Sequence, residues 1–179
     1  GDPTCTFVVR LRGADIDTTP LATSEPSHPP SDMSIDEAIA RLGDLWAAMY
    51  YFLAKGLVDA YGLEGERALR EAIREYGRNR GAELRAKHLA AGYEINLVTL
   101  FERYDLPDDS RFKRNRIELT PETRISQTLR CPYAELWEEL GQGKNRIAQI
   151  YCEEVHHALF GAYDPAIQTN LCHPLTYEG

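Results

Sequence analysis

The sequence predicts an α+β fold, in which an antiparallel sheet of about four strands carries helices packed on one face. Apolar residues recur at helical spacing along most of the chain after residue 34, whereas residues 111–131 alternate with the period of two that is typical of strands. The chain has 179 residues, of which 43% are hydrophobic, and this is enough for one domain with a full core.

Three segments make up the predicted domain. Residues 1–12 alternate between apolar and polar positions and predict a half-buried strand that completes the domain. Residues 13–33 are rich in Pro, Ser, Thr and Asp, which indicates a linker without a packed core. Residues 34–179 then form the main α+β domain.

The main domain opens with a long helix. A capping box at Ser34 and Glu37 begins it, and Gly62 is predicted to end it. Its large apolar residues are spaced three or four apart and form one stripe, which we expect to face the core. The stripe comprises Leu42, Leu45, Trp46, Met49, Phe52 and Leu53.

A second long helix and five shorter elements follow. The helix spans residues 64–90, and its predicted core face comprises Leu69, Ile73, Tyr76, Gly77, Gly81 and Leu84. The glycines are four apart, so they lie on one face and allow a close helix approach. The remaining elements are a short helix (96–103), a β-hairpin (111–119 and 124–131), two helices (132–140 and 146–163) and a last strand (167–175).

Composition excludes several classes of protein. The net charge of −8 argues against a general nucleic-acid binder, which would present a basic face. No apolar run reaches the roughly 18 residues that a membrane span needs. The four cysteines are irregularly spaced and predict no disulfide framework, so we expect a reduced, cytoplasmic setting.

Three motifs carry a family resemblance. Arg-Cys-Pro-Tyr-Ala at residues 130–134, Tyr-Cys-Glu-Glu at 151–154 and Gly-Asp-x-x-Cys-x-Phe at 1–7 resemble the L-2-amino-thiazoline-4-carboxylic acid hydrolase family. The likeness covers most of the chain after residue 49, together with residues 1–12. It implies a hydrolase for a small cyclic carbon–nitrogen substrate such as an aminothiazoline carboxylate. In that reaction water adds to the carbon between sulfur and nitrogen, and the ring opens to an N-carbamoyl amino acid.

The order of the motifs departs from the family pattern. The Gly-Asp-x-x-Cys strand normally closes the chain in that family, and here it opens the chain. We interpret this as a circular permutation, natural or engineered, which predicts that residues 4–12 pair with residues 167–175. The alternative is a chance match behind a tag remnant at Gly1. The linker would also let segments exchange between chains, which predicts a homodimer with swapped segments. The partner expected from the family resemblance is a small-molecule substrate.

Cysteine and histidine spacing suggests a metal site. Cys152 and His156 are four apart on one helix and project from the same side. Cys172 lies on the following strand and Cys5 on its expected partner, so the four side chains predict a tetrahedral zinc site. The pattern is also similar, more weakly, to the ligand-binding domains of the 4-vinyl reductase family. That likeness implies a non-catalytic small-ligand-binding domain with a structural zinc. The other readings are inert core cysteines, a reactive thiol or a disulfide.

Two further groups of side chains are candidates for chemistry. Cys131 with His156 or His157 predicts a thiolate–imidazole pair for attack on an amidine-type carbon, unless Cys131 is only a small residue at a strand-to-helix corner. Glu154 is a candidate general base or partner of a cationic substrate group, and its alternative is a solvated surface glutamate.

Arginines of the hairpin are the candidate anchor for a substrate carboxylate. Arg124 and Arg130 fall on one face of their strand, and Arg116 stands on the strand opposite. A guanidinium can hold a carboxylate through two parallel hydrogen bonds. The alternative is surface charge on the solvent face of the sheet.

Overall fold

The computed structural model describes residues 32–107 and 109–171, and the described elements belong to one compact unit that begins at Met33. The elements are α1 (Ile35–Ala90), α2 (Leu97–Glu102), β1 (Lys113–Leu119), β2 (Arg124–Arg130), α3 (Pro132–Gly141) and α4 (Arg146–Tyr163). The fold class is therefore α+β with helices dominant. No helix in this part of the chain is long and apolar enough to cross a membrane.

The sheet in the described part of the chain is a two-stranded antiparallel hairpin, β1–β2. The strand predicted at residues 4–12 lies outside the described residues, as do residues 172–175 of the strand predicted at 167–175. Residues 167–171 carry no strand. The prediction of about four strands is thus not confirmed, and the pairing that the permutation requires stays a prediction.

Helix α1 consists of two arms, residues 35–61 and 63–90, joined at Gly62. Ser34 caps its start, with its Oγ accepting from the Glu37 amide at 3.2 Å. Gly62 has φ 56° and ψ −130°, a backbone conformation that glycine adopts at little cost. The predicted end of the first helix at Gly62 is confirmed, since Gly62 itself is not helical and a second helical arm follows it. The two arms approach each other closely at the kink, since a Cβ on Gly65 would overlap the Leu57 carbonyl.

The second arm of α1 packs closely on α4. A Cβ on Gly77 would lie 2.9 Å from both the Ala158 Cβ and the Val155 carbonyl oxygen, and one on Gly81 would overlap the Leu159 carbonyl. Both glycines are buried. The predicted close approach of helices at these glycines is confirmed.

The first arm of α1 turns a different face to the core from the one predicted. Its buried residues are Ala47, Tyr51 and Ala54. The predicted stripe is largely exposed: Leu42, Leu45 and Leu53 at 68%, Phe52 at 61% and Met49 at 58%, with Trp46 half-buried. The prediction was wrong because periodicity identifies residues that share a face and does not identify what that face contacts. Tyr76, predicted as core on the second arm, is 40% exposed.

Specific hydrogen bonds tie the first arm to the rest of the core. Trp137 Nε1 donates to the Ala47 carbonyl at 2.8 Å, and the Tyr50 hydroxyl donates to the Ile147 carbonyl at 2.8 Å. Both contacts need small or polar residues on the inner face of the helix. This explains why the alanine–tyrosine face is buried in preference to the leucine face.

The hairpin has two unlike faces. Its register pairs Arg114 with Thr128, Arg116 with Ser126 and Leu119 with Arg124, and directly opposed residues share a face. Arg124, Ser126 and Thr128 are half-buried. The opposite face carries exposed apolar residues: Ile117 at 65%, Leu129 at 53% and Ile125 at 47%.

Gly81→Ala should destabilise the protein by about 1–3 kcal/mol, because the added Cβ would overlap the Leu159 backbone and force the helices apart. Chemical denaturation monitored by circular dichroism measures this. Gly161→Ala on α4 is the matched control, since a Cβ there meets nothing within 4 Å. The control should be neutral or slightly stabilising through its helix propensity. Equal losses in both variants would contradict the close-packing account.

Candidate functional site

The candidate site lies on the arginine face of the hairpin. The guanidinium of Arg114 stacks on the Phe112 ring at 4.1 Å, and that of Arg124 stacks on the Phe101 ring at 3.8 Å. Within the described residues, neither arginine forms an ion pair with a carboxylate. Two cations on aromatic rings without counter-charges make a surface that is suited to a small anion.

Side chains from separate elements surround the charge of Arg114. Burial raises the pKa of Cys131 and of Tyr104, and it lowers the pKa of His156 and of Arg124. The positive charge of Arg114 lowers the pKa of all four groups in addition. The charge of Arg80 acts on Tyr104 and His156 more strongly than that of Arg114 does, so these two groups lie in the field of both guanidinium groups.

His156 projects from α4 as a neutral base. Its Nδ1 lies 3.3 Å from the Cys152 carbonyl oxygen, and a carbonyl can only accept, so Nδ1 carries the proton. The lone pair of Nε2 is therefore free of an internal hydrogen bond in the described part of the chain. Burial holds the pKa of His156 below its ordinary value of 6.5, which keeps the imidazole neutral at neutral pH. This is the protonation state that a general base requires.

Cys131 precedes Pro132 at the first turn of α3. The backbone amides of Tyr133 and Ala134 favour the thiolate, but burial has the larger effect and raises the pKa of the Cys131 thiol. The thiol therefore stays protonated at neutral pH. No hydrogen bond joins it to His156 or His157 among the described residues. The thiolate–imidazole pair stays a prediction.

His157 lies on the other side of α4. It is exposed and lines a shallow surface pocket of about 390 Å³ together with Arg74, Arg78 and Glu154. Arg78 pairs with Glu71 at 2.6 Å, and Arg74 pairs with Glu154. The charges in this pocket are therefore balanced internally.

Glu154 belongs to an ion-pair network between α1 and α4. It contacts Arg70, and it accepts from Arg74 Nε at 2.6 Å. Arg70 also contacts Glu153 at 2.7 Å and Glu66 at 2.9 Å. Burial alone would lower the pKa of Arg70, but hydrogen bonds to the three carboxylates raise it overall. With side chains only 17% exposed for Arg70 and 12% for Glu154, the network favours a structural role for Glu154.

The other two predicted anchors already have acidic partners. Arg116 pairs with Glu102 at 2.7 Å, and Arg130 pairs with Glu135 at 2.8 Å. All four side chains are about half exposed. Sequence reasoning missed Arg114, although strand alternation gave a usable signal, since Arg114 lies two residues before Arg116 and shares its face.

Two of the four predicted zinc ligands lie outside the described residues. Cys5 and Cys172 are not described, while Cys152 and His156 lie on α4 as predicted ligands. Over residues 32–107 and 109–171, no group of three or more His, Cys, Asp or Glu side chains could hold a metal ion. Zinc therefore stays a prediction that depends on the two undescribed cysteines.

Comparison with known proteins gives one match. A family model described as L-2-amino-thiazoline-4-carboxylic acid hydrolase matches residues 45–174, which is well over half of the 179 residues. The matched range includes the arginine face of the hairpin and all of α4. No curated protein and no solved structure matches the chain significantly.

Glu154→Gln should lower the free energy of unfolding by about 1–3 kcal/mol, because Arg70 and Arg74 lose a charged acceptor in a poorly solvated site. Urea denaturation at neutral pH measures the change. Glu71→Gln is the control: Glu71 also pairs with Arg74, but its side chain is 58% exposed, so its loss should matter much less. If the two variants are equally stable, the network does not hold α1 to α4.

Proposed function

The chain belongs to the L-2-amino-thiazoline-4-carboxylic acid hydrolase family, and we propose that it is a hydrolase that opens a small cyclic amidine-type substrate bearing a carboxylate. The family name suggests hydrolase action on a cyclic substrate, and the choice of substrate is our proposal. The observation that carries it is that Arg114 and Arg124 form no ion pair with any described carboxylate, while the charge of Arg114 also acts on the neutral base His156.

The arginine pair supplies the anchor in this proposal. A carboxylate accepts two parallel hydrogen bonds from one guanidinium and gains from a second positive charge nearby. Contact with the Phe112 and Phe101 rings restrains the guanidinium groups of Arg114 and Arg124 before a ligand binds, so these side chains lose less rotamer entropy on binding. Burial and the neighbouring Arg114 both lower the pKa of Arg124. An anionic ligand would relieve that repulsion, which favours binding of an anion over a neutral molecule.

His156 supplies the base. The oxygen of water bonds to the carbon between sulfur and nitrogen as the carbon–nitrogen π bond breaks, and one water proton passes through Nε2 of His156 to the ring nitrogen. The hydroxyl on the tetrahedral carbon then gives its proton to Nε2 as the carbonyl forms and the carbon–sulfur bond breaks, and the imidazolium passes that proton to the leaving sulfur. The carbamoyl group stays on nitrogen, so the product is an N-carbamoyl amino acid. Burial keeps the Tyr104 phenol protonated by raising its pKa, so it can donate a hydrogen bond to charge that develops nearby.

Cys131 has no covalent role in this mechanism, because burial raises the pKa of its thiol and leaves little thiolate at neutral pH. The alternative function is a non-catalytic small-ligand-binding domain with a structural zinc bound by Cys5, Cys152, Cys172 and His156. In this alternative Nε2 of His156 would bind the metal, whereas in the hydrolase it acts as the base. Zinc content of the purified protein separates the two.

Arg114→Gln should raise KM for aminothiazoline carboxylate by about 10- to 100-fold with little change in kcat, since one charge-assisted contact is lost in both ground and transition states. Steady-state kinetics measures both constants. Arg116→Gln is the matched control on the same strand face, and we expect a much smaller change because Arg116 pairs with Glu102. Equal KM changes in the two variants would place the anchor elsewhere.

His156→Gln should lower kcat by about 10²- to 10⁴-fold. In the unchanged protein, protonation removes the base, so kcat/KM should fall on the acid side with a midpoint below 6.5, as the lowered pKa of His156 requires. This acid limb should be absent from the residual activity of the variant. His157→Gln is the control, because His157 is exposed on the other side of α4. An acid limb that persists in His156→Gln would assign the base to another group.

A further inference from the structure

The outer face of the first arm of α1 carries an exposed apolar stripe, which here means Ile35, Leu42, Leu45, Met49 and Phe52. Its large side chains are among the most exposed apolar residues of the described chain: Ile35 at 79%, Leu42 and Leu45 at 68%, Phe52 at 61% and Met49 at 58%. Isolated exposed apolar residues are ordinary on protein surfaces. Five on one helix face form a contiguous patch, which is characteristic of an interaction surface.

The stripe has the spacing of a coiled-coil seam. Ile35, Leu42 and Met49 repeat every seven residues, and Ala38, Leu45 and Phe52 repeat every seven residues between them. The spacing thus alternates between three and four residues, as the two apolar positions of a heptad do. The next residues in the repeat are Gly56 and Asp59, so the apolar seam ends there. Such a seam is complementary to another helix with the same repeat.

We propose that this stripe is the interface of a homodimer, in which two copies of the chain pack their α1 first arms against each other. A second copy supplies the complementary seam automatically, because a two-fold axis places the same patch on both sides. The exposed side chains offer on the order of 600 Å² per chain, which approaches the roughly 800 Å² per partner of a stable interface. The opposite face of the helix stays on its own core through Ala47, Tyr51 and Ala54.

Charges at the ends of the stripe favour an antiparallel arrangement. The first turn of α1 is acidic, with Asp36 and Glu37, whereas Lys55, which pairs with Asp59 in its own helix, lies near the far end of the seam. Antiparallel packing centred between Leu45 and Met49 brings Lys55 of one copy beside the partner's Glu37. Parallel packing would instead place the two acidic first turns side by side and align the helix dipoles unfavourably.

Leu45→Glu tests the interface in the full-length protein. Size-exclusion chromatography with light scattering should give a dimer for the unchanged chain and a monomer for the variant, with the dimer Kd raised about 30-fold or more because the charge would be buried twice. Leu89→Glu is the matched control: Leu89 is 53% exposed on the second arm, outside the stripe, and its variant should stay dimeric. Unchanged circular dichroism verifies that both variants fold.

Two outcomes would overturn the proposal. One is an unchanged chain that is monomeric at every concentration, which would mean that residues 1–31 or a different partner cover the stripe. The other is a Leu45→Glu variant that remains as dimeric as the Leu89→Glu control.

A charge exchange tests the antiparallel arrangement. Lys55→Glu should weaken the dimer about two- to fivefold at low salt, and combining it with Glu37→Lys should restore the affinity, because the pair is then re-formed with reversed signs. In a parallel dimer the two positions lie far apart and no restoration follows. Additive losses in the double variant would therefore overturn the antiparallel arrangement.

Discussion

The close packing of the second arm of α1 on α4 is the constraint on which the rest of the structure depends. Gly77 and Gly81 remove the side chains that would separate the helices, and the poorly solvated pair of Arg70 and Glu154 links the same two helices. The glycines alone would be costly in helix propensity, and a buried ion pair alone would be costly in desolvation. Together they fix the rotation of α4, and this rotation determines where His156 points.

The fixed rotation of α4 separates two kinds of polar residue. Glu154 faces α1, where guanidinium groups occupy both its carboxylate oxygens. His156 lies two residues further on, toward the hairpin, where Arg80 and Arg114 are neighbouring cations and Nε2 accepts no hydrogen bond in the described part of the chain. Similar candidates in the sequence thus acquire different chemistry, because one is neutralised by its partners and the other is kept neutral by burial.

Local signals in the sequence predicted the elements well and their surroundings poorly. Asn145 caps the start of α4, and Pro132 stands at the first turn of α3. Such signals are readable in the sequence because a cap or a proline determines the backbone conformation of its immediate neighbours. Gly62 likewise ends the first arm of α1, because its positive φ interrupts the helix. The leucine stripe and the importance of Arg114 depend on contacts between distant segments, and neither periodicity nor residue type encodes which face meets which neighbour.

Charge balance gives the strongest argument that the arginine face binds an anion. The chain has 28 acidic and 20 basic residues, so carboxylates are in surplus, and most of the described arginines do form ion pairs with them. Within residues 32–107 and 109–171, Arg114 and Arg124 do not, although Glu102 is close enough to pair with Arg116 on the same face. In an acidic protein, like charges on one face of a sheet without a carboxylate raise the free energy of the folded state. A bound anion is the simplest compensation, and an aromatic ring holds each of the two guanidinium groups in place to receive it.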